Sequence, residues 1–267
     1  MSKTVQWNRI WTVVSKEWDE TRRNKMILWT TALLPVLLVA MILGTDYVLL
    51  RVDAAGGDTD ADELPIPEQL QHLPQMEAFL IQMNEQYMFY LFMIPMMLPV
   101  YIAAYTIIGE KQSNTLEPLL ATPVSTWELL AAKAIAATLP AIVVVWLSFG
   151  ALLLGLTWIA PPSVVQYNAR PVWIVAMGLL SPLLAFLSVL VGVIVSSRIN
   201  DPRTAQQITG IFVLPIIAMS LVVLAGWVFV SVPLVLLTSL GTLILDLVAL
   251  YFAVKLFDRE TILTRWK

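Results

Sequence analysis

The chain of 267 residues contains no cysteine and one histidine. Disulfides and thiolate metal sites are therefore excluded, and His72 reads as a loop residue. Charge is scarce as well: 13% of the residues are charged, about half of what soluble domains carry. Residues 204 to 245 hold no charged side chain, a length that accommodates two bilayer spans of about 20 residues each. The phosphate-cradling pattern Gly-x-x-x-x-Gly-Lys-Ser/Thr is missing, as are His-Glu-x-x-His and Gly-x-Ser-x-Gly. Neither a catalytic site nor a metal site is expected.

What is present is apolar surface. Hydrophobic residues make up 58% of the chain and the mean hydropathy is +0.78, which places the protein in a membrane. Six spans are predicted, at 26–49, 85–109, 127–159, 171–195, 206–229 and 232–255. The third exceeds one straight crossing, so Pro140 is expected to kink it or its first turns to lie outside the hydrocarbon. Val230 and Ser231 alone join the last two, which predicts a tight hairpin or partial re-entry.

Fourteen of the sixteen Lys and Arg residues fall on one side of this layout, leaving Arg51 and Arg170 opposite. The positive-inside rule then puts both termini in the cytoplasm. From Asp46 to Glu85 there are nine carboxylates and one base, an acidic external segment without calcium-loop spacing. The net charge of −3 averages a basic inner and an acidic outer surface and does not argue for nucleic acid. The organisation predicted is an amphipathic helix at 1–25, a spanning domain at 26–255 with an external loop at 51–84 and a cytoplasmic loop at 110–126, and a tail at 256–267.

Trp7, Ile10, Trp11, Val14 and Trp18 share one helical face, with Lys16 and Glu17 read as lying elsewhere. This pattern describes a helix in the bilayer interface. In the external segment, Leu70, Leu73, Met76, Phe79, Leu80 and Met83 are spaced for a helix that continues into the second span. That span carries Met93, Met96, Met97 and Tyr101, which suit a surface for varied apolar cargo and also ordinary helix packing. Asp246 costs roughly 2.5–3.5 kcal/mol inside a span. Two arrangements would offset it, a strut to Lys133 or bonds to Ser and Thr hydroxyls. Asp201 and Pro202 read as N-cap and first position of the fifth span, with Gln206 and Gln207 facing a dimer axis or anchoring at the interface.

The polar stretch from Glu110 to Ser125 separates two spans. Thr115 suits an N-cap, Glu117 and Pro118 suit a first turn, Leu116, Leu119 and Leu120 form a small apolar face, and Pro123 ends the helix. Ser125-Thr126-Trp127-Glu128 is a capping box that opens the third span. On this pattern alone, a tidy loop and a docking helix are equally good readings.

Glu110-Lys111 followed by Thr115-Leu116-Glu117-x-Leu119-Leu120-Ala121-Thr122-Pro123 resembles the cytoplasmic loop of ABC-2-type permeases, the membrane subunits of ATP-binding-cassette exporters. Lys16-Glu17-Trp18 is similar to that family's connecting helix, and Leu256 to Leu263 to its usual ending. The resemblance implies an all-α membrane protein with six transmembrane helices after an interfacial helix, a type V exporter-like domain in the cell membrane. It implies two permease copies, or a sister permease, above two ATPase subunits that hold ATP and Mg²⁺, with Glu110, Lys111 and the stretch to Pro123 as coupling helix. The second and fifth spans would line the dimer interface. An anchor or regulatory subunit that recruits a cytoplasmic protein, and an ion-coupled carrier, are the competing functions.

Overall fold

The computed structural model describes residues 7–23, 25–57, 66–112, 126–197 and 210–256, with single positions 199, 201, 204, 207 and 208 between the last two blocks. All regular structure among them is helical: α1 (Trp7–Arg23), α2 (Lys25–Ala54), α3 (Gln75–Leu91), α4 (Met93–Gln112), α5 (Thr126–Ile159), α6 (Pro162–Asn168), α7 (Pro171–Val175), α8 (Ser181–Ser196), α9 (Leu214–Leu224) and α10 (Val232–Leu256). A π-helical segment, Ala176–Leu180, joins α7 to α8. Four stretches are long and apolar enough to cross a bilayer: Ala32–Ala54, Glu128–Ile159, Pro162–Ser196 and Val232–Leu256. They correspond to the first, third, fourth and sixth predicted spans.

The other two predicted spans differ from expectation, for reasons visible in their prolines and glycines. The second begins ten residues early, at Gln75, and is broken at Phe92. Pro95 has no N–H for the Leu91 carbonyl, and its ring crowds that carbonyl in an unbroken helix. The Phe92 N–H instead donates to the Phe89 carbonyl at 3.1 Å, and the helix restarts at Met93. The fifth span is helical at positions 204, 207, 208 and 210, passes through a 3₁₀ turn at Ile211–Val213, and ends at Leu224. Its apolar run, Ile211–Leu224, covers only about 21 Å at 1.5 Å per residue.

Glycines end two helices in the same manner. Gly226 has φ +72° and donates to the Val223 carbonyl, and the Trp227 N–H reaches back to the Val222 carbonyl at 3.2 Å. Gly56, with φ +69°, and Gly57 close α2 alike on Asp53 and Val52. Both are Schellman closures that give orphan carbonyls a partner. Asp201 caps as its sequence predicts: its Oδ2 accepts from the Thr204 N–H at 2.9 Å. α5 is helical through Pro140, and Ser125, the cap its sequence predicts, lies outside the described residues.

Two apolar clusters fill the bundle. The larger gathers Ile42, Met88, Leu91, Phe92, Val145 and Trp173 with their neighbours, and Met93 and Met97 pack against it while Met96 lies within it. The smaller joins Ile102 and Ala103 of α4 to Leu129 and Ala137 of α5, Leu190 of α8 and Ala249 of α10. α4 and α8 meet closely at Gly192. An added Cβ there would lie 3.6 Å from the Ala103 Cβ and 3.7 Å from the Val100 Cα. The Ser188 hydroxyl, one turn earlier, donates to the Met96 carbonyl. Because that methyl has van der Waals room and nothing longer does, Gly192→Ala is expected to leave the melting temperature of the purified protein nearly unchanged. Gly192→Leu is expected to lower it by several degrees in the same assay.

Candidate functional site

Chemistry concentrates at the two ends of the bundle. At one end, α1 turns Ile10, Val14 and Glu17 toward the bundle, spaced four and three residues apart on one helical stripe, against Ala132 and Ala136 of α5. Alanines on this face let the two helices approach closely. Lys133, flanked by them, donates from Nζ to Glu17 Oε1 at 2.7 Å, and the side chains are 1% and 2% exposed. Beside this pair, the Trp18 Nε1–H donates to the Ala136 carbonyl at 3.0 Å. In an unbroken α-helix that carbonyl receives the N–H of residue 140, which is proline and has none. The indole therefore takes the place that Pro140 leaves open.

This geometry corrects two sequence expectations. Lys133 holds Glu17 rather than Asp246, because α1 lies over its face of α5. Neither Asp246 oxygen has a hydrogen-bond partner among the described residues, although the residue is 2% exposed. The hydroxyl alternative fails too: Thr242, one turn away, spends its proton on the Thr238 carbonyl at 2.9 Å. Glu17 belongs to the packed face of α1, whereas Trp7 and Trp11 are 71% and 56% exposed. Lys16 makes an exposed contact with Glu20 at 3.4 Å. Glu110 and Lys111 lie on the last turns of α4. Thr115, Leu116, Glu117, Leu119, Leu120, Thr122 and Pro123 lie outside the described residues, as does Gln206 and the side chain of Tyr101. Gln207 is exposed.

At the opposite end, α3 carries a polar run that sequence reading took for the approach to a span. Asn84 Nδ2 donates to Asp46 Oδ2 of α2 at 2.9 Å, and Gln82 Nε2 to the Leu224 carbonyl of α9 at 2.8 Å. Glu85 accepts from the Arg170 guanidinium, and Glu77 from the Ser163 hydroxyl of α6. Arg170 lies 3.5 Å from the centre of the Tyr167 ring and 5.0 Å from that of Phe229, a cation held between aromatic faces. One helix is thus tied to α2, to α6 and its following loop, and to α9. The legible signal was the run Gln82, Asn84, Glu85, Gln86 inside an apolar helical pattern, where polar groups need assigned partners.

Two experiments test the contact of α1 with α5 by apparent stability of the purified protein. Trp18→Phe leaves the Ala136 carbonyl without a donor and is expected to cost about 1–3 kcal/mol. In a Pro140→Ala background the restored N–H fills that place, so the same change should cost much less. Removing Lys133 alone strands the buried Glu17 carboxylate, with an expected loss of about 3–5 kcal/mol. Replacing both with Met should recover most of it. Equal losses in the single and double variants would contradict the pairing.

No curated protein matches the chain. The family model described as ABC-2 family transporter protein matches residues 11–260, from the second turn of α1 through every later helix and past the end of α10. The apolar helices long enough to span a bilayer and the all-helical architecture of the described residues agree with that match. The chain belongs to the ABC-2 family of transporter proteins and is a multi-pass membrane subunit concerned with transport.

Proposed function

We propose that the chain is the permease subunit of an ABC exporter, driven by ATP hydrolysis on separate ATPase subunits. In this reading six segments cross the membrane. The broken α3–α4 pair forms the second, and the segment ending in α9 the fifth. Both termini are cytoplasmic, α1 rests at the inner membrane surface, and two permease copies or sister permeases stand above two ATPase subunits that bind ATP and Mg²⁺. The stretch from Glu110 to Pro123 is the coupling helix.

The observation that carries this reading is what lies at either end of the stretch. It connects the last turn of α4 to the first turn of α5, and both helices are anchored beyond the reach of a loose loop. α4 is packed on α8 at Gly192, and α5 is clamped to α1 by Glu17 and Trp18. A push from ATPase closure would therefore enter two fixed levers. Movement of α4 would act at the Phe92 break, and movement of α5 would drag α1 along the membrane surface. Differential motion of this kind is what alternating access needs.

The test is capture of ABC ATPase subunits from native membranes by the tagged full chain, read by mass spectrometry. The intact chain is expected to retain them. Joint substitution of Glu117 and Leu120 by Ala is expected to reduce the retained amount at least tenfold, with the permease itself still inserted and monodisperse. Retention of another soluble protein and no ATPase would replace this reading with a membrane anchor.

A further inference from the structure

Asp246 stands near the middle of the Val232–Leu256 span, and neither of its oxygens has a partner among the described residues. Carboxylates at such depth are rare. They ordinarily pair with a base or a hydrogen-bond donor, or they carry a proton. The first two arrangements are closed here by position. Thr238 and Thr242 of α10 share one groove, of about 220 Å³, with Leu180 and Leu184. Leu250 and Ala253 share a second, of about 370 Å³, with Val189 and Val193. α8 and α10 therefore run side by side in the same direction. Asp246 falls between the two grooves, lines neither, and comes level with Ser188.

The hydroxyls at this level are already committed. Ser188 donates to the Met96 carbonyl, and Thr242 to the Thr238 carbonyl at 2.9 Å. Earlier on α8, Ser181 gives its hydroxyl to the Met177 carbonyl at 2.5 Å, beside the Trp146 Nε1–H at 2.8 Å. Ser196 and Ser239 have unbonded hydroxyls, but each lies roughly two turns, about 10 Å or more, along its helix. Bases are no nearer. α10 packs against α8, the π segment and α7, and residues 171–196 hold no charged side chain. Lys255 is more than two turns farther along α10. Across the larger groove, α5 carries Glu128 in its first turn and Lys133, which is turned to Glu17 of α1.

An ionised carboxylate in that position would have neither counter-charge nor donor, the costliest state for a buried side chain. Taking up a proton removes the charge and supplies an O–H that the second lone pair of a helix carbonyl can accept. We infer that Asp246 is a proton-binding site, occupied while α8 and α10 are packed together and emptied to water when they part. The step is an acid dissociation. The carboxyl O–H bond breaks, its electron pair stays on the carboxylate, and the proton passes to a water molecule admitted between the helices. Closure reverses it. Proton uptake and closure are linked, so acid favours the packed seam and alkali the parted one. Proton binding here goes beyond the exporter reading and does not depend on it.

Infrared spectroscopy of the full chain in nanodiscs at neutral pH tests occupancy, with the aspartate carboxyls ¹³C-labelled. A protonated-carboxyl C=O band that moves with the label is expected. It should survive Asp46→Asn, which removes the other buried aspartate among the described residues, and vanish in Asp246→Asn. A band that Asp46→Asn removes and Asp246→Asn spares would overturn the site. So would the lack of any label-sensitive band in the intact chain, a result that needs no variant to fold. Release is read at Ala253→Cys, buried against α8 in a chain with no other cysteine, by its rate of reaction with a membrane-impermeant maleimide. Thiolate formation alone raises that rate with pH. With Asp246 present the rise should be steeper than in Asp246→Asn, by up to about tenfold per pH unit for one linked proton. Equal slopes would overturn the release step. No ATPase enters either measurement, so failure here would leave the coupling reading standing, and failed ATPase capture would leave the proton site untouched.

Discussion

A carbonyl freed inside a bilayer has no water to turn to, and this chain frees several. Prolines stand within α2, α4 and α5 and just after the π segment, each removing one backbone donor at a depth where a replacement must come from the protein. At Pro140 the replacement is an indole from α1. At Pro182 the helix widens, and an indole and a hydroxyl take the displaced carbonyl. At Pro95 the helix simply breaks. The tertiary contacts that shape the bundle follow from these local vacancies. The clamp of α1 on α5 lies at a missing N–H, and the tie from α5 to the π segment lies where the Ser181 N–H has passed over the Met177 carbonyl.

Charge is handled with the same economy. Among the described residues, two ion pairs with a buried carboxylate sit at opposite ends, Glu17 with Lys133 at one and Glu85 with Arg170 at the other. Each joins a helix that leaves the bundle core to one that belongs to it. Pairs of this kind add little net stability over apolar replacements but penalise misplacement heavily. Their role is to fix where α1 and the external connection sit. Asp246 follows no such pattern, and its environment offers it no donor among the described residues.

Much of this was legible in the sequence. Apolar length located the first, third, fourth and sixth spans, the helical spacing from Leu70 to Met83 foretold α3, and Asp201 and the box at Ser125 to Glu128 marked helix starts. The motif from Glu110 to Pro123 pointed to the family. Partnerships were harder. Assigning Asp246 to Lys133 took depth along two helices as a proxy for contact, whereas the alanines around Lys133 admit α1, whose Glu17 reaches it first. The four-and-three spacing of Ile10, Val14 and Glu17 was present but hidden by the bulk of Trp7 and Trp11, which drew attention to a neighbouring face. Trp18 as the partner of a proline-freed carbonyl needed the fold, since the two positions lie 118 residues apart.

The shortness of α9 has a consequence of its own. Leu224 is the last residue of α9, so its carbonyl has no donor further along the helix. Gln82 supplies one from α3. If α9 slides or tilts against α3, that carbonyl must exchange an amide for a water molecule before the motion can complete. Displacement of α9 would therefore be a wetting event, limited by how readily water reaches one oxygen atom.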